Sequence, residues 1–375
     1  MPPCPHRPDA LTWQIFRGSD AVREGLLTEH QLRSAAWVRL RHDIYADARL
    51  DRDHALACRA ALLRLPPDVT VGGPSAAYLL GVEHAATFTD DVHVLVPRSL
   101  RIGPQRGLRV HVNAITPLLG TAPPEQAGAS PASRRPPTPR GTTGPGRPPA
   151  AGRPPNGMMT RPGGLASSRS GDLTTGSGGT MTRSGDMTTL VPGLSCDSGG
   201  AIPRSTPERA AWETAVWVDP LRAVAIVDSL LGQGLTDRNT LAAIADRNAD
   251  RPGGQRAKWL FDLTDGAAQS PPESHLRLRL VLGGLPRPIA QHPVRLPNGV
   301  VLHPDLAWPR YRVAVEYDGQ WHSDADQLHR DRRRLNLLVG AGWLVLHVTS
   351  RRLHGEFPAV LHEVRAALAG RGWRR

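Results

Sequence analysis

Apolar and polar positions change period several times along this chain, and each change marks a part. From Leu27 the text reads "LTEHQLRSAAWVRLRHDIYADARL", with Leu32, Ala35 and Ala36 at helical spacing behind Thr28 and Gln31. A Thr followed three residues later by Gln is the pattern of a capping box, so a helix is expected there, followed by a short β-like tail from His42 to Tyr45. Residues 1–50 are therefore read as a winged-helix-like segment. Over 51–116 a small α+β unit is expected. "DHALACRAALLRLPP" has helical periodicity, and "DDVHVLVP" and "GLRVHVNAI" alternate as paired strands do, which makes His93 and His111 strand positions.

Order of a different kind is expected over 206–267. Thr206 stands before Pro207 as an N-cap, and the apolar positions from Ala210 to Leu231 repeat at helical spacing until Gly232 and Gly234 close the run. A second helix is expected from about Asp237, the whole segment packing on the 51–116 unit. From Ser270, "SPPESHLRLRLVLGGL" predicts a helix with proline at its start, Glu273 in the first turn, and Leu276, Leu280 and Val281 on one face. "HPVRLPNGVVLHPDLAWP" predicts two strands turning at Asn298-Gly299, with Asp305 near the end of the second. "YRVAVEYDG" predicts another strand, then come a helix carrying Arg330, Arg332, Arg333 and Arg334, the buried strand "GWLVLHVTS" and a last helix, "FPAVLHEVRAAL". Residues 268–375 are thus expected to form an α/β domain, a mixed sheet flanked by helices.

Between these parts lies a segment with almost nothing to bury. Residues 117–205 are rich in Pro, Gly and Arg, and "RSGDLTT" at Arg169 recurs as "RSGDMTT" at Arg183. Such a composition predicts a disordered insert, and so short a polar repeat reads as an expansion, not a structural unit.

Charge sharpens the picture. The chain has 375 residues and a net charge of +12, and the excess is local: residues 117–205 hold 9 basic against 4 acidic side chains, residues 268–375 hold 16 against 9. A polyanionic partner is expected, and it should meet the C-terminal third. The cysteines Cys4, Cys58 and Cys196 are far apart and have no metal-ligand spacing. No run reaches 18 apolar residues and the N-terminus lacks a signal-peptide apolar region, so no membrane contact and a cytoplasmic location are expected.

The chemistry concentrates in "VAVEYDGQWH". On a strand, Val313, Val315 and Tyr317 face one side and Ala314, Glu316 and Asp318 the other, which places two carboxylates on one face. Like charges held so close call for a bound cation or a raised pKa.

Taken together, "PPESHLRLRL", "HPDLAWP", "VAVEYDGQWH", "RDRRRLNLL" and "GWLVLHVT" resemble the PD-(D/E)XK nuclease superfamily, specifically domains similar to the very-short-patch repair (Vsr) endonuclease. The front half, with "STPERAAWETA", is similar to the AbiEi-antitoxin-like region that actinobacterial proteins join to such a domain. The resemblance implies a restriction-endonuclease-like fold and a cytoplasmic DNA endonuclease or nickase using Mg²⁺ or Mn²⁺, in phage defence or DNA repair. It implies Asp305 and Glu316 as metal ligands, Glu273 as the acid of the first helix, and His322, behind Trp321, as the acid–base group. Arg330, Arg332, Arg333 and Arg334 are expected to contact the DNA backbone, a helix turn or more from the reaction.

Two departures qualify the match. The superfamily's catalytic lysine falls at Asp318, and Lys258 is the chain's only lysine. No cysteine follows Cys196, so the repair enzyme's structural zinc and its mismatch recognition are not carried over. The alternative is a DNA-binding antitoxin-type regulator whose nuclease fold has lost catalysis.

Overall fold

Side chains that satisfy free backbone groups set most element boundaries. The computed structural model describes residues 6–112, 201–319 and 325–374, with side chains from 333 onward in the last stretch. Of the insert expected over 117–205, residues 117–200 lie outside the described residues, but its last residues are ordered: Arg204 bridges to Val71, and Ser205 is buried with its Oγ donating to Glu213 Oε2 at 2.8 Å.

Strand β1 (Ile15–Arg17) runs into helix α1 (Gly18–Arg23), and β2 (Trp37–Arg41) and β3 (Ile44–Asp47) complete an antiparallel sheet in the order β1-β3-β2. The helix expected behind Thr28 is absent. The capping box itself forms, with Thr28 N donating to Gln31 Oε1 at 2.7 Å and Gln31 N to Thr28 Oγ1 at 3.2 Å, but only one 3₁₀ turn, Gln31–Arg33, follows. Tertiary pairing overrides the local pattern. Trp37 on β2 closes edge-on over Phe16, their ring centroids 5.1 Å apart, while Tyr45 stacks on the same ring.

Next, Asp53 Oδ1 accepts from Leu56 N at 2.7 Å and starts α2 (His54–Leu62). Strand β4 (Thr70–Val71), helix α3 (Gly73–Leu79), β5 (Val92–Val96) and β6 (Leu108–Val112) follow. The sheet order is β4-β5-β6, with β5 and β6 parallel. His93 and His111 are strand positions whose rings stack with Trp217, and burial lowers their pKa values to about 3 and about 4.

The helical run expected from Ala210 to Leu231 is two helices, α4 (Pro207–Trp217) and α5 (Pro220–Gly232). Pro220 cannot continue a helix, and Asp219 caps the new one by accepting from Arg222 N at 3.0 Å. Helices α6 (Arg238–Arg247) and α7 (Gly254–Asp262) complete a layer whose core joins Trp212, Ile226, Leu230 and Leu260 to Ala77 and Val82 beside α3.

Helix α8 (Pro271–Leu282) serves two cores. Leu278 packs into the helical layer, whereas Leu276 and Leu280 pack under a second sheet. Strands β7 (Ile289–Ala290), β8 (Val294–Arg295), β9 (Val301–Leu302), β10 (Leu306–Trp308) and β11 (Val313–Asp318) come next, then α9 (Ala325–Gly340), β12 (Leu344–Thr349), α10 (Ser350–Gly355) and α11 (Phe357–Gly370). The hairpin β8–β9 turns at Gly299 with φ +83°, a backbone conformation that needs glycine.

The main sheet has the order β12-β11-β10-β7. Strands β11 and β12 are parallel and the other pairs antiparallel, a mixed sheet as expected. Val313 and Val315 pack on one face with Val360, Val364 and Leu368 of α11. Ala314 packs on the other with Leu338 of α9 and Trp343. Strand β12 was expected to be buried, but it is the sheet's edge, and Leu344 is exposed along it. Among the described residues no helix is long and apolar enough to cross a membrane.

Candidate functional site

The two carboxylates of the sheet meet because of one register. Asp305 does not end β9; it immediately precedes β10, a strand not foreseen in the sequence, which pairs Leu306 with Val315 of β11. That pairing brings Asp305 beside the end of β11, where its Oδ2 accepts from Tyr317 N at 2.8 Å. Its Oδ1 accepts from Gln291 Nε2 at 3.1 Å. Gln291 follows β7 in a left-handed backbone conformation, φ +50°, which costs a glutamine about 1 kcal/mol or more and is kept where the surroundings enforce it. The same amide reaches Glu273 Oε2 at 3.3 Å.

Glu273 has a structural part as well. Its carboxylate accepts from Ser270 Oγ at 2.8 Å and from Gln269 N at 3.0 Å, closing the N-terminus of α8. Gln291 bridges it to Asp305 by hydrogen bonds to both carboxylates.

Glu316 is 8% exposed and lies on the α9 side of β11, the side its alternation with Val315 predicts. Its Oε1 is buried and accepts no hydrogen bond among the described groups, although Arg334 Nη2 lies 3.2 Å away in an ion pair. Burial and the neighbouring Asp305 push its carboxyl up to about 7, with Arg334 and His347 opposing. Burial, with Glu273 adding to it, also raises Asp305. The like-charge neighbour of Glu316 is therefore Asp305 across the sheet.

Asp318, one step along the same face, is half-buried and accepts from His347 Nδ1 at 3.0 Å, which raises the imidazole. Strand pairing sets His347 opposite Glu316. His347 has no partner at any meaningful sequence spacing; only the parallel register of β11 and β12 brings it to the site.

The arginines divide. Arg333 is exposed, but Arg334 does not stand a turn away from the carboxylates: it pairs with Glu316 and also donates to the carbonyl of His303, bridging α9 to the loop before β10. His322 lies outside the described residues, as do the side chains of Arg330 and Arg332.

Does the arrangement suit a divalent cation? Among the described residues no three His, Cys, Asp or Glu side chains form a metal-holding group by themselves. Mg²⁺ does not need one, since it keeps several waters and takes one or two carboxylates plus substrate phosphate. A buried carboxylate oxygen without a hydrogen bond, next to a second carboxylate, suits that mode of binding.

The chain is 31% identical to two uncharacterized proteins of Mycobacterium tuberculosis, from strains CDC 1551 and H37Rv, over 172 residues. The match covers 44% of this chain and 64% of each relative, so the chain spans less than two thirds of the curated relatives it matches. No family model matches the chain, and no solved structure matches it.

Proposed function

We propose that residues 268–375 form a metal-dependent DNA endonuclease or nickase of Vsr-like fold. The observation that carries this reading is the pairing of buried Glu316 with half-buried Asp305 at the C-terminal end of β11, Glu316 Oε1 accepting no hydrogen bond among the described residues. Asp305 and Glu316 would hold Mg²⁺ or Mn²⁺, which when bound activates a water and draws charge from the scissile phosphate. The chain supplies the rest. Tyr317 N and Gln291 fix the orientation of Asp305, so its oxygens do not rearrange during the reaction. The other arginines of the basic helix α9 would draw the polyanion to this end of the sheet. An imidazole can carry the proton to the departing oxygen; His322 is the residue the resemblance names, and His347 stands beside the carboxylates.

Supercoiled plasmid incubated with the full chain should relax in Mg²⁺ or Mn²⁺ and stay intact in EDTA, and Asp305→Asn should abolish relaxation. The antitoxin-type regulator is the other reading, favoured by Asp318 at the lysine position. DNA binding with no nicking under either metal would replace the nuclease by that regulator.

A further inference from the structure

Resting on the nuclease reading, we infer that Arg334 is the fixed cation of the reaction centre, contacting the phosphodiester that is cleaved, and not one more arginine on the flanking backbone. Three observations place it there. Its guanidinium lies 3.2 Å from Glu316, the most deeply perturbed carboxylate of the site. The His303 carbonyl, on the loop leading to Asp305, accepts from the same Nη2, so the group is held between the two elements that carry the carboxylates. It is also 39% exposed, which leaves part of a five-donor planar fork open to a ligand in front of Glu316. The lysine cannot serve here, because Lys258 is on α7 and paired with Asp246 at 3.0 Å.

The chemistry needs such a group. Hydrolysis joins a water oxygen to phosphorus and breaks one phosphorus–oxygen ester bond, while the water's proton passes to the departing oxygen. The non-bridging oxygens gather negative charge on the way. A guanidinium pinned on one side by a carboxylate and a carbonyl meets that charge without first having to be ordered, and its forked donors match two phosphate oxygens. With no DNA present, the same guanidinium partly neutralises Glu316 and so opposes a divalent cation there.

The two roles predict opposite results. Arg334→Ala in the full chain should slow plasmid nicking at saturating DNA by about 10²-fold or more, the scale of a lost charge-stabilising donor. Its affinity for a labelled duplex in EDTA should change by less than about threefold. Calorimetric Mg²⁺ titration without DNA should show tighter binding than wild type, because a competing positive charge has gone. Arg334→Lys, which restores charge without the fork, should recover part of the rate. If Arg334→Ala instead weakens duplex binding, flattens its salt dependence by about 0.9 in slope and keeps the saturated rate, Arg334 is a backbone contact and the inference is wrong while the nuclease stands. Should the alanine variant lose its melting transition, Arg334→Lys and Arg334→Gln decide: equal saturated rates overturn the inference. Wild type that never nicks DNA overturns the nuclease reading and this inference with it.

Discussion

Two buried acidic centres in this molecule differ in one respect. In the helical layer, Asp228 is 1% exposed, and both of its oxygens are used: Oδ1 accepts from Asp265 N at 2.6 Å, and Oδ2 from Ser274 Oγ and Arg277 Nη2, each at 2.7 Å. In the sheet, Glu316 is 8% exposed, yet its Oε1 accepts no hydrogen bond among the described residues and the neighbouring Asp305 repels it. Burial raises both carboxyls. The first has three donors, one on the loop before α8 and two on α8 itself, and holds α5 to α8. The second has Arg334 beside it in an ion pair but no hydrogen bond to its buried oxygen among the described residues. A folded chain tolerates such a group where something that comes and goes completes it, which is the physical argument for a site at Glu316 and for architecture at Asp228.

The largest effect should come from Asp228, whose two carboxylate oxygens are both hydrogen-bonded. Asp228→Ala leaves Arg277, 1% exposed, without its counter-ion, and breaking a buried pair from one side costs about 3–5 kcal/mol. Urea unfolding followed by tryptophan fluorescence measures it. Removing both charges together, as in Asp228→Leu with Arg277→Met, should return much of the loss. A cost below about 1 kcal/mol for Asp228→Ala would erase the distinction between the two centres.

Glu316→Gln should act in the other direction and less strongly. A carboxyl whose folded pKa is raised from 4.5 to about 7 holds a proton that the unfolded chain has released. Its contribution is therefore full below pH 4.5 and lost as pH rises through 7. In EDTA at pH 8 the amide should stabilise the fold by about 3 kcal/mol, one pKa unit being worth about 1.4 kcal/mol, and at pH 4 by almost nothing. Thermal melts across that range test the sign, and a variant less stable than wild type at pH 8 would show that Glu316 is satisfied after all.

The contrast also explains what could be read in the sequence. Strand β11 was legible because Val313, Val315 and Tyr317 alternate with Ala314, Glu316 and Asp318, and the sheet buries one set on each helix layer. The α8 helix and the Asn298-Gly299 turn were legible from Pro271, Ser270 and glycine. Strand β10 was not, since three residues, Leu306, Ala307 and Trp308, carry no period, and with it went the position of Asp305. The helix expected from Leu32 to Ala36 failed because Trp37 and Phe16 pair across a sheet that no local pattern shows. His347 and Gln291 were invisible for a related reason. Each reaches the carboxylates through strand pairing, His347 by parallel register and Gln291 from the end of β7. The sequence places Arg334 with the backbone-contacting arginines a helix turn or more from the reaction, whereas the packing of α9 on the Ala314 face turns it to Glu316.

The smallest effect separates rim from core. His347 and Asp318 form an ion pair, but their side chains are 40% and 46% exposed, and pairs at such exposure are worth about 0–1 kcal/mol. The imidazole's pKa is raised, chiefly by its hydrogen bond to Asp318, so its stabilisation is present below its unfolded value of 6.5 and fades as pH rises through the folded value. His347→Gln should therefore cost less than about 1 kcal/mol at pH 6 and nothing measurable at pH 9. A loss of 3 kcal/mol or more, on the scale expected for Asp228, would make His347 and Asp318 a second structural pair and take the imidazole out of the site. A small loss with slower nicking at saturating DNA would mean that the pair contributes to the reaction and little to the fold, as an exposed imidazole opposite Glu316 should.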